Sequence, residues 1–359
     1  MRTVGVLGGS GLVGASVAKL LCEREDIQVV LLGRNADRLA ATIASLDSAQ
    51  VSFTPADAAD PVSLRTAFAP LDLVVVAAPL LDRLEPVVQA ALDTGTDWVD
   101  VLLDTPEKWE IFDSLASRFE ADGRVGLVGS GIHPGLPAVL IRAAAARKPL
   151  ATAEVGMIVS MDWSRGIPPE TAKEFTLEMA NMKAGKLSGG QWLDLSWMSP
   201  KTMTKIDFGE HGKRSCAYMA LEEIRRLPSV LPGIRDAGLA VSGFSPLVDY
   251  LLLPLAMAMA AISKRLAGPA SRLMVWGLVK TGKPPYDTVL RLDAEGARLT
   301  VTHEDSYWLT SAVAALTATQ VLDRKAPIGV KPAALAVNPE QLLRDLAELG
   351  ASVAFDVDA

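Results

Sequence analysis

An apolar strand that runs directly into closely spaced glycines and then into a helical pattern constrains this chain most: VGVLGGSGLVGASVAKLL, residues 4–21. Gly8, Gly9, Gly11 and Gly14 fall where strand gives way to helix. Glycine there allows a tight turn, close approach of backbone to a pyrophosphate, and close packing of helix on strand. The helix start then offers free N–H groups and the positive end of its dipole to phosphates. Gly8, Gly9, Ser10, Gly11, Leu12, Val13 and Gly14 are therefore the expected dinucleotide cradle. The Gly8-x-x-Gly11-x-x-Gly14 spacing is a variant met more often with NADP than with NAD.

The next 130 residues alternate apolar runs with helical patterns, the signature of a parallel sheet crossed by helices. Strands are predicted at residues 3–7, 27–32, 51–54, 73–77, 98–102 and 125–128. Runs as uniformly apolar as LVVVA suit a sheet covered on both faces. Asn35, Asp60 before Pro61, and Thr105 before Pro106 are helix-start signals. After about residue 148 the texture changes, with a strand-like run at 154–163 and a helical pattern at 169–186. The expected architecture is α/β: a doubly wound Rossmann sheet from residues 1–148 plus 305–359, with residues 149–304 inserted as an α+β substrate and dimerisation domain.

At the end of the second strand, NAD-specific folds carry an acid for the ribose 2′-hydroxyl. Here Leu32-Gly33-Arg34-Asn35 is followed by Arg38. Two guanidinium groups without a carboxylate suit a 2′-phosphate, because the planar fork bonds it bidentately. NADP(H) is the expected cofactor, NAD(H) the less favoured one.

Several classes are excluded. A net charge of −7 and the absence of a basic stripe argue against nucleic acid. Two cysteines and three scattered histidines give no metal-ligand spacing. Such cysteine usage suits a reducing cytoplasm. The glycines and Lys19 spoil a secretory apolar core, so a cleaved signal is not expected. None of the four tyrosines has Lys four residues on, the proton-transfer pair of short-chain dehydrogenases; Glu222, Pro254, Leu290 and Ser311 stand there. Neither Cys22 nor Cys216 follows the nucleotide domain as a semialdehyde dehydrogenase nucleophile does. GSGLVGAS has Ala15 where a phosphate-loop ATPase needs lysine, so LSGGQ at 187–191 reads as a chance match to the ATPase signature.

GSGIHPGLPAVL, residues 129–140, follows the sixth predicted strand and belongs at the carboxyl edge of the sheet, where ligands bind in open α/β folds. With GGSGLVG and LLGRNADRL, with residues 74–101, and with the tail APIGVKPAALAVNPEQLLRDLAELG, the chain resembles the saccharopine dehydrogenase/reductase-like superfamily over about half its length. The resemblance implies an NADP(H)-dependent oxidoreductase acting at a C–N or C=O centre of a small carboxylate or amino-acid-like substrate, and a homodimer. It implies that Ala77, Ala78 and Pro79 flank the cofactor and that Gly131, Pro134, Gly135 and Tyr307 line the substrate. The family's Gly-x-Asp-Pro-Gly maps to residues 131–135, with His133 replacing the aspartate. An imidazole titrating near neutrality can exchange a proton with the reacting group, so His133 is the candidate catalytic residue, beside the bland reading of a loop histidine.

The alternative is a non-catalytic NADP(H)-binding sensor or membrane-associated scaffold. Its support is LVDYLLLPLAMAMAAI, residues 247–262. Asp249 and Pro254 interrupt this run, which is shorter than the about 20 residues a spanning helix needs. Burial in the core or at a dimer interface is expected in preference to peripheral membrane contact.

Overall fold

The computed structural model describes the chain apart from residues 81–82, 161, 164–171, 173–175, 177–181, 198, 285 and 358–359, and apart from the side chains of 260, 261, 264 and 357. It divides into two units, Met1–Arg142 with Tyr307–Ala351, and Ala143–Ser306 with Ser352–Ala359.

In the first unit, strands β1 (Arg2–Leu7), β2 (Ile27–Gly33), β3 (Val51–Pro55), β4 (Leu73–Val76), β5 (Asp97–Asp100) and β6 (Val125–Val128) pair in parallel in the order β3-β2-β1-β4-β5-β6. Val6 of β1 aligns with Leu31 on one side and Val75 on the other, so strand order reverses at β1. That reversal opens a crevice beyond the carboxyl ends of β1 and β4. All four residues of β4 are buried, as an apolar strand covered on both faces must be. Asn35, Asp60 and Thr105 each accept a backbone N–H of their helix, from Arg38, Val62 and Lys108. Trp98 meets Phe112 edge-on at 5.6 Å in the core between sheet and helices.

The tail divides between the units. Gly329–Pro332 (β15) adds a seventh parallel strand beside β6, and helix Ser306–Leu322 belongs to the first unit from Tyr307 onward. Ser352–Val357 (β16), which the sequence groups with residues 305–359, instead pairs antiparallel with β14 (Ala297–His303) in the second unit. The alternating SVAFDV suits that pairing, which satisfies the outer edge of β14.

The second unit has a mixed sheet in the order β10-β11-β12-β7-β13-β14-β16 among the described residues, formed by Met203–Asp207 (β10), Lys213–Met219 (β11), Asp236–Ser242 (β12), Thr152–Val159 (β7) and Thr288–Ala294 (β13) with β14 and β16. A hairpin of Ala184–Ser188 and Gln191–Leu195 hangs on β12. Its turn is Gly189-Gly190 with φ of +60° and +83°, so LSGGQ is hairpin punctuation. Residues 184–186, the end of the predicted helix at 169–186, are strand because they pair antiparallel with residues 193–195 across the hairpin, where Lys186 also lies over the Tyr218 ring of β11 at 4.1 Å. Most of the remainder of that helix lies outside the described residues.

For residues 247–262, expected in the core or at a dimer interface, the single chain shows both a buried and an exposed side. They form a π-type turn, Val248–Leu252, running into helix Leu253–Ile262, with Pro254 in the first turn, where a missing N–H costs least. Among the described residues one stripe is buried: Val248, Leu252 and Ala256 pack on Ala270, Met274 and Leu278 of helix Ala267–Thr281. A helix apolar all round leaves its other face uncovered when a single helix packs on it.

Candidate functional site

The glycine turn has the geometry its sequence demands. Gly8 and Gly9 donate to the Leu32 carbonyl at 2.9 and 3.2 Å, and Gly11 donates to Gly8 at 2.8 Å. Gly8 has φ +89°, and a Cβ there would lie 2.8 Å from the Ala78 nitrogen. A Cβ on Gly14 would overlap the Gly8 carbonyl oxygen. Gly11 is the N-cap of helix Leu12–Leu21 and supplies no side-chain cap, so the first N–H groups remain open to an anion. Leu12, at the mouth, is 65 % exposed. Ala77, Ala78 and Pro79 leave the carboxyl end of β4 beside this turn, with Ala77 donating to Leu7.

Arg34 and Arg38 are exposed at the end of β2, and Arg38 reaches the Ser10 carbonyl at 3.4 Å. One guanidinium thus lies across the turn itself. The Asn35 side chain is committed to capping, which leaves it a secondary part in any ligand contact.

A second loop leaves β6. Ser130 donates to the Asp100 carbonyl at 2.6 Å, Gly131 to Pro134 at 2.8 Å and Leu136 back to Gly131 at 3.1 Å. Gly135 has φ +134°, and a Cβ there would overlap the Gly131 carbonyl, so this ring of residues closes only with glycine. The His133-Pro134 peptide within it is cis. The His133 ring has no hydrogen-bond partner among the described residues, and desolvation lowers its pKa from 6.5 to about 4. That shift favours the neutral ring.

Helix Ser306–Leu322 touches both loops. Ser311 Oγ donates to the Val13 carbonyl at 3.2 Å, and a Cβ on Gly131 would stand 3.1 Å from the Thr310 methyl. Tyr307, three residues before Thr310, shares that helix face. The glycine turn, Ala77–Pro79 and residues 129–135 thus gather along one edge of the parallel sheet, with Arg34 and Arg38 flanking the turn.

Sequence reasoning missed a buried polar hub under the second loop. Asp100 is fully buried and accepts from Trp98 Nε1 at 2.8 Å, Leu102 N at 3.0 Å and Gly129 N at 3.2 Å. Lys108 Nζ, also buried, lies 3.2 Å from Asp100 and donates to Leu102 O at 2.8 Å. A lysine one turn inside an otherwise ordinary capped helix carries no signal of burial; only folding shows it.

Other chemistry recedes. Burial pushes the Cys216 thiol up to about 12 and raises that of Cys22, so neither is an activated nucleophile. Among the described residues no group of three or more His, Cys, Asp or Glu could hold a metal. The second unit has a cleft of about 280 Å³ lined by Trp163, His211, Arg214, Phe244 and Lys283, among others, and it contains none of the residues singled out from the sequence.

Residues 4–118 match the family model of the saccharopine dehydrogenase NADP binding domain. Comparison with curated protein sequences finds no match. Among solved structures, apo saccharopine dehydrogenase (L-Glu forming) of Saccharomyces cerevisiae superposes with a TM-score of 0.68 over 100 % of both chains at 16 % identity. A putative myo-inositol dehydrogenase of Sinorhizobium meliloti gives 0.47 over 100 % of both chains at 11 % identity. The WlbA dehydrogenase of Thermus thermophilus gives 0.45 over 97 % of this chain and 94 % of its own, at 13 % identity. The likeness to the yeast enzyme is one of fold. The family match assigns NADP(H) to the first unit, whose open helix start, close-packed glycines and paired arginines fit it.

Proposed function

We propose, from a nucleotide-binding domain that belongs to the saccharopine dehydrogenase NADP-binding family, that this chain is an NADP(H)-dependent oxidoreductase acting at a C–N or C=O centre of a small carboxylate or amino-acid-like substrate. The observation that carries the reading is the meeting of two glycine loops with one helix: Ser311 on the turn that would take the pyrophosphate, Thr310 on the loop that carries His133. The backbone from Gly8 to Gly14 would cradle the pyrophosphate, with Ala77, Ala78 and Pro79 alongside. Arg34 and Arg38 would hold the 2′-phosphate. When bound, the cofactor supplies or accepts a hydride. Gly131, Pro134, Gly135 and Tyr307 would bound the substrate position.

His133 would serve that position as a neutral ring, donating a hydrogen bond or relaying a proton to the heteroatom of the reacting bond. A bound anion beside it would raise its proton affinity toward the useful range. A cytoplasmic homodimer completes the proposal; the free Cys22 and Cys216 suit a reducing compartment. The test is calorimetric binding of NADPH and NADH, followed by NADPH oxidation across a panel of oxo- and imino-acids. NADPH binding without turnover of any carbonyl or imine substrate would favour a sensor instead.

A further inference from the structure

Among the described residues, the helix pair in the second unit has one face that nothing covers. Tyr250, Leu251, Leu255 and Ile262 on the first helical segment and Trp276 and Val279 on the second are exposed, at 73 % for Tyr250, 78 % for Ile262 and 55 % for Trp276. Leu251, Leu255 and Ile262, spaced by four and seven residues, share one side of the first helical segment, with Tyr250 a quarter-turn away, and Trp276 and Val279, three apart, share one side of the second. Exposed apolar side chains in such number on one pair of helices mark an interaction surface.

The charges carried by these two helices and the residues joining them are nearly all of one sign. Residues 245–284 contain Lys264, Arg265, Arg272, Lys280 and Lys283 against the single acid Asp249, in a chain whose net charge is −7. Asp249 accepts the Phe244 N–H at 2.9 Å and is turned inward. Arg265, Arg272, Lys280 and Lys283 are exposed and make no ion pair among the described residues. Arg272 and Lys280 lie one helical turn on either side of Trp276.

We infer that this face docks on an anionic bilayer surface, with its apolar residues in the headgroup boundary and its cations against lipid phosphates. The charge pattern decides between occupants. A second copy docked helix pair to helix pair would set these cations opposite one another with no acid from the pair itself turned outward to meet them. An anionic membrane meets all of them, and Trp, Tyr, Lys and Arg are the residues that settle at that boundary. No described helix is long and apolar enough to cross a membrane, so the contact is peripheral.

The experiment is sedimentation of the full-length chain with vesicles of phosphatidylcholine alone and of phosphatidylcholine mixed with phosphatidylglycerol. Binding to the mixed vesicles, weakened by salt and absent with the neutral ones, is the expected result. The pair Leu251→Glu with Trp276→Glu, and independently Arg272→Glu with Lys280→Glu, should each weaken it at least about tenfold. NADPH affinity, which depends on the other unit, should stay unchanged, and a wild-type circular-dichroism spectrum and melting midpoint report that the variants fold. Failure to sediment with anionic vesicles, or equal binding to neutral ones, overturns the inference. So does a wild-type dimer that Leu251→Glu with Trp276→Glu turns into monomers, which would assign the face to a second copy.

Discussion

The two glycine loops at the edge of the parallel sheet share a plan and differ in what they do with their backbone. Both follow a strand and start a helix. The turn at residues 8–14 spends its own hydrogen bonds on Leu32 and Gly8 and leaves the following helix start uncapped. The loop at 129–135 turns its bonds inward, Gly131 to Pro134 and Leu136 to Gly131, and rests on the buried Asp100–Lys108 pair. An open backbone can bind a ligand, as proposed for the first turn; a closed one holds a side chain rigidly, as proposed for His133 in the second. Nearly identical glycine content thus supports opposite roles, and where the N–H groups point decides which.

Substitutions should separate the two loops. The largest effect is expected below the second one. Asp100→Ala strands the Trp98, Leu102 and Gly129 N–H groups in the interior and leaves the Lys108 ammonium only Asp104, at 3.9 Å, as a carboxylate partner, and should cost about 3–5 kcal/mol of stability. Denaturant unfolding measures this; a loss under about 1 kcal/mol would remove Asp100 as the mount's anchor.

Next come the arginines of the first loop. Arg34→Asp should lower NADPH affinity by about 1.5–3 kcal/mol while sparing NADH and leaving stability nearly unchanged. Titration calorimetry with both cofactors checks it, and equal affinities of the unmodified protein for the two would undo the assignment.

His133→Ala should reduce turnover at least about tenfold with NADPH affinity nearly unchanged, the reverse of the arginine result. Steady-state rates beside cofactor titration would show the contrast. A variant at full activity returns His133 to a structural role.

The smallest effect is a pH dependence. The His133 pKa falls from 6.5 to about 4 on folding. Between those values the unfolded chain binds the extra proton, so stability is whole above the ordinary value and declines as pH falls toward the folded one. Thermal melts on the acid side should therefore decline less in His133→Gln than in the unmodified protein. Parallel declines would mean the ring is solvated.

Legibility followed how local the cause was. Asn35, Asp60 and Thr105 were readable as caps because a cap acts within three residues. The parallel strands were readable because a strand buried on both faces is apolar throughout, and the ends shifted by only a residue or two. The glycine turn was readable because steric exclusion at Gly8 and Gly14 admits no other residue. His133 was placed in the right loop, but its pKa was not, since desolvation depends on what surrounds the ring.

Sequence by itself therefore determined the Rossmann topology, the dinucleotide turn and the arginines beside it, all consequences of periodicity and short-range sterics. Tertiary structure alone decided that Asp100 and Lys108 meet under the second loop, that β16 leaves the tail to pair with β14, and that residues 247–262 bury one stripe and expose the other. Each of these depends on which distant segment arrives as a partner. An apolar pattern says that a face avoids water, and only the packed chain says whether anything covers it.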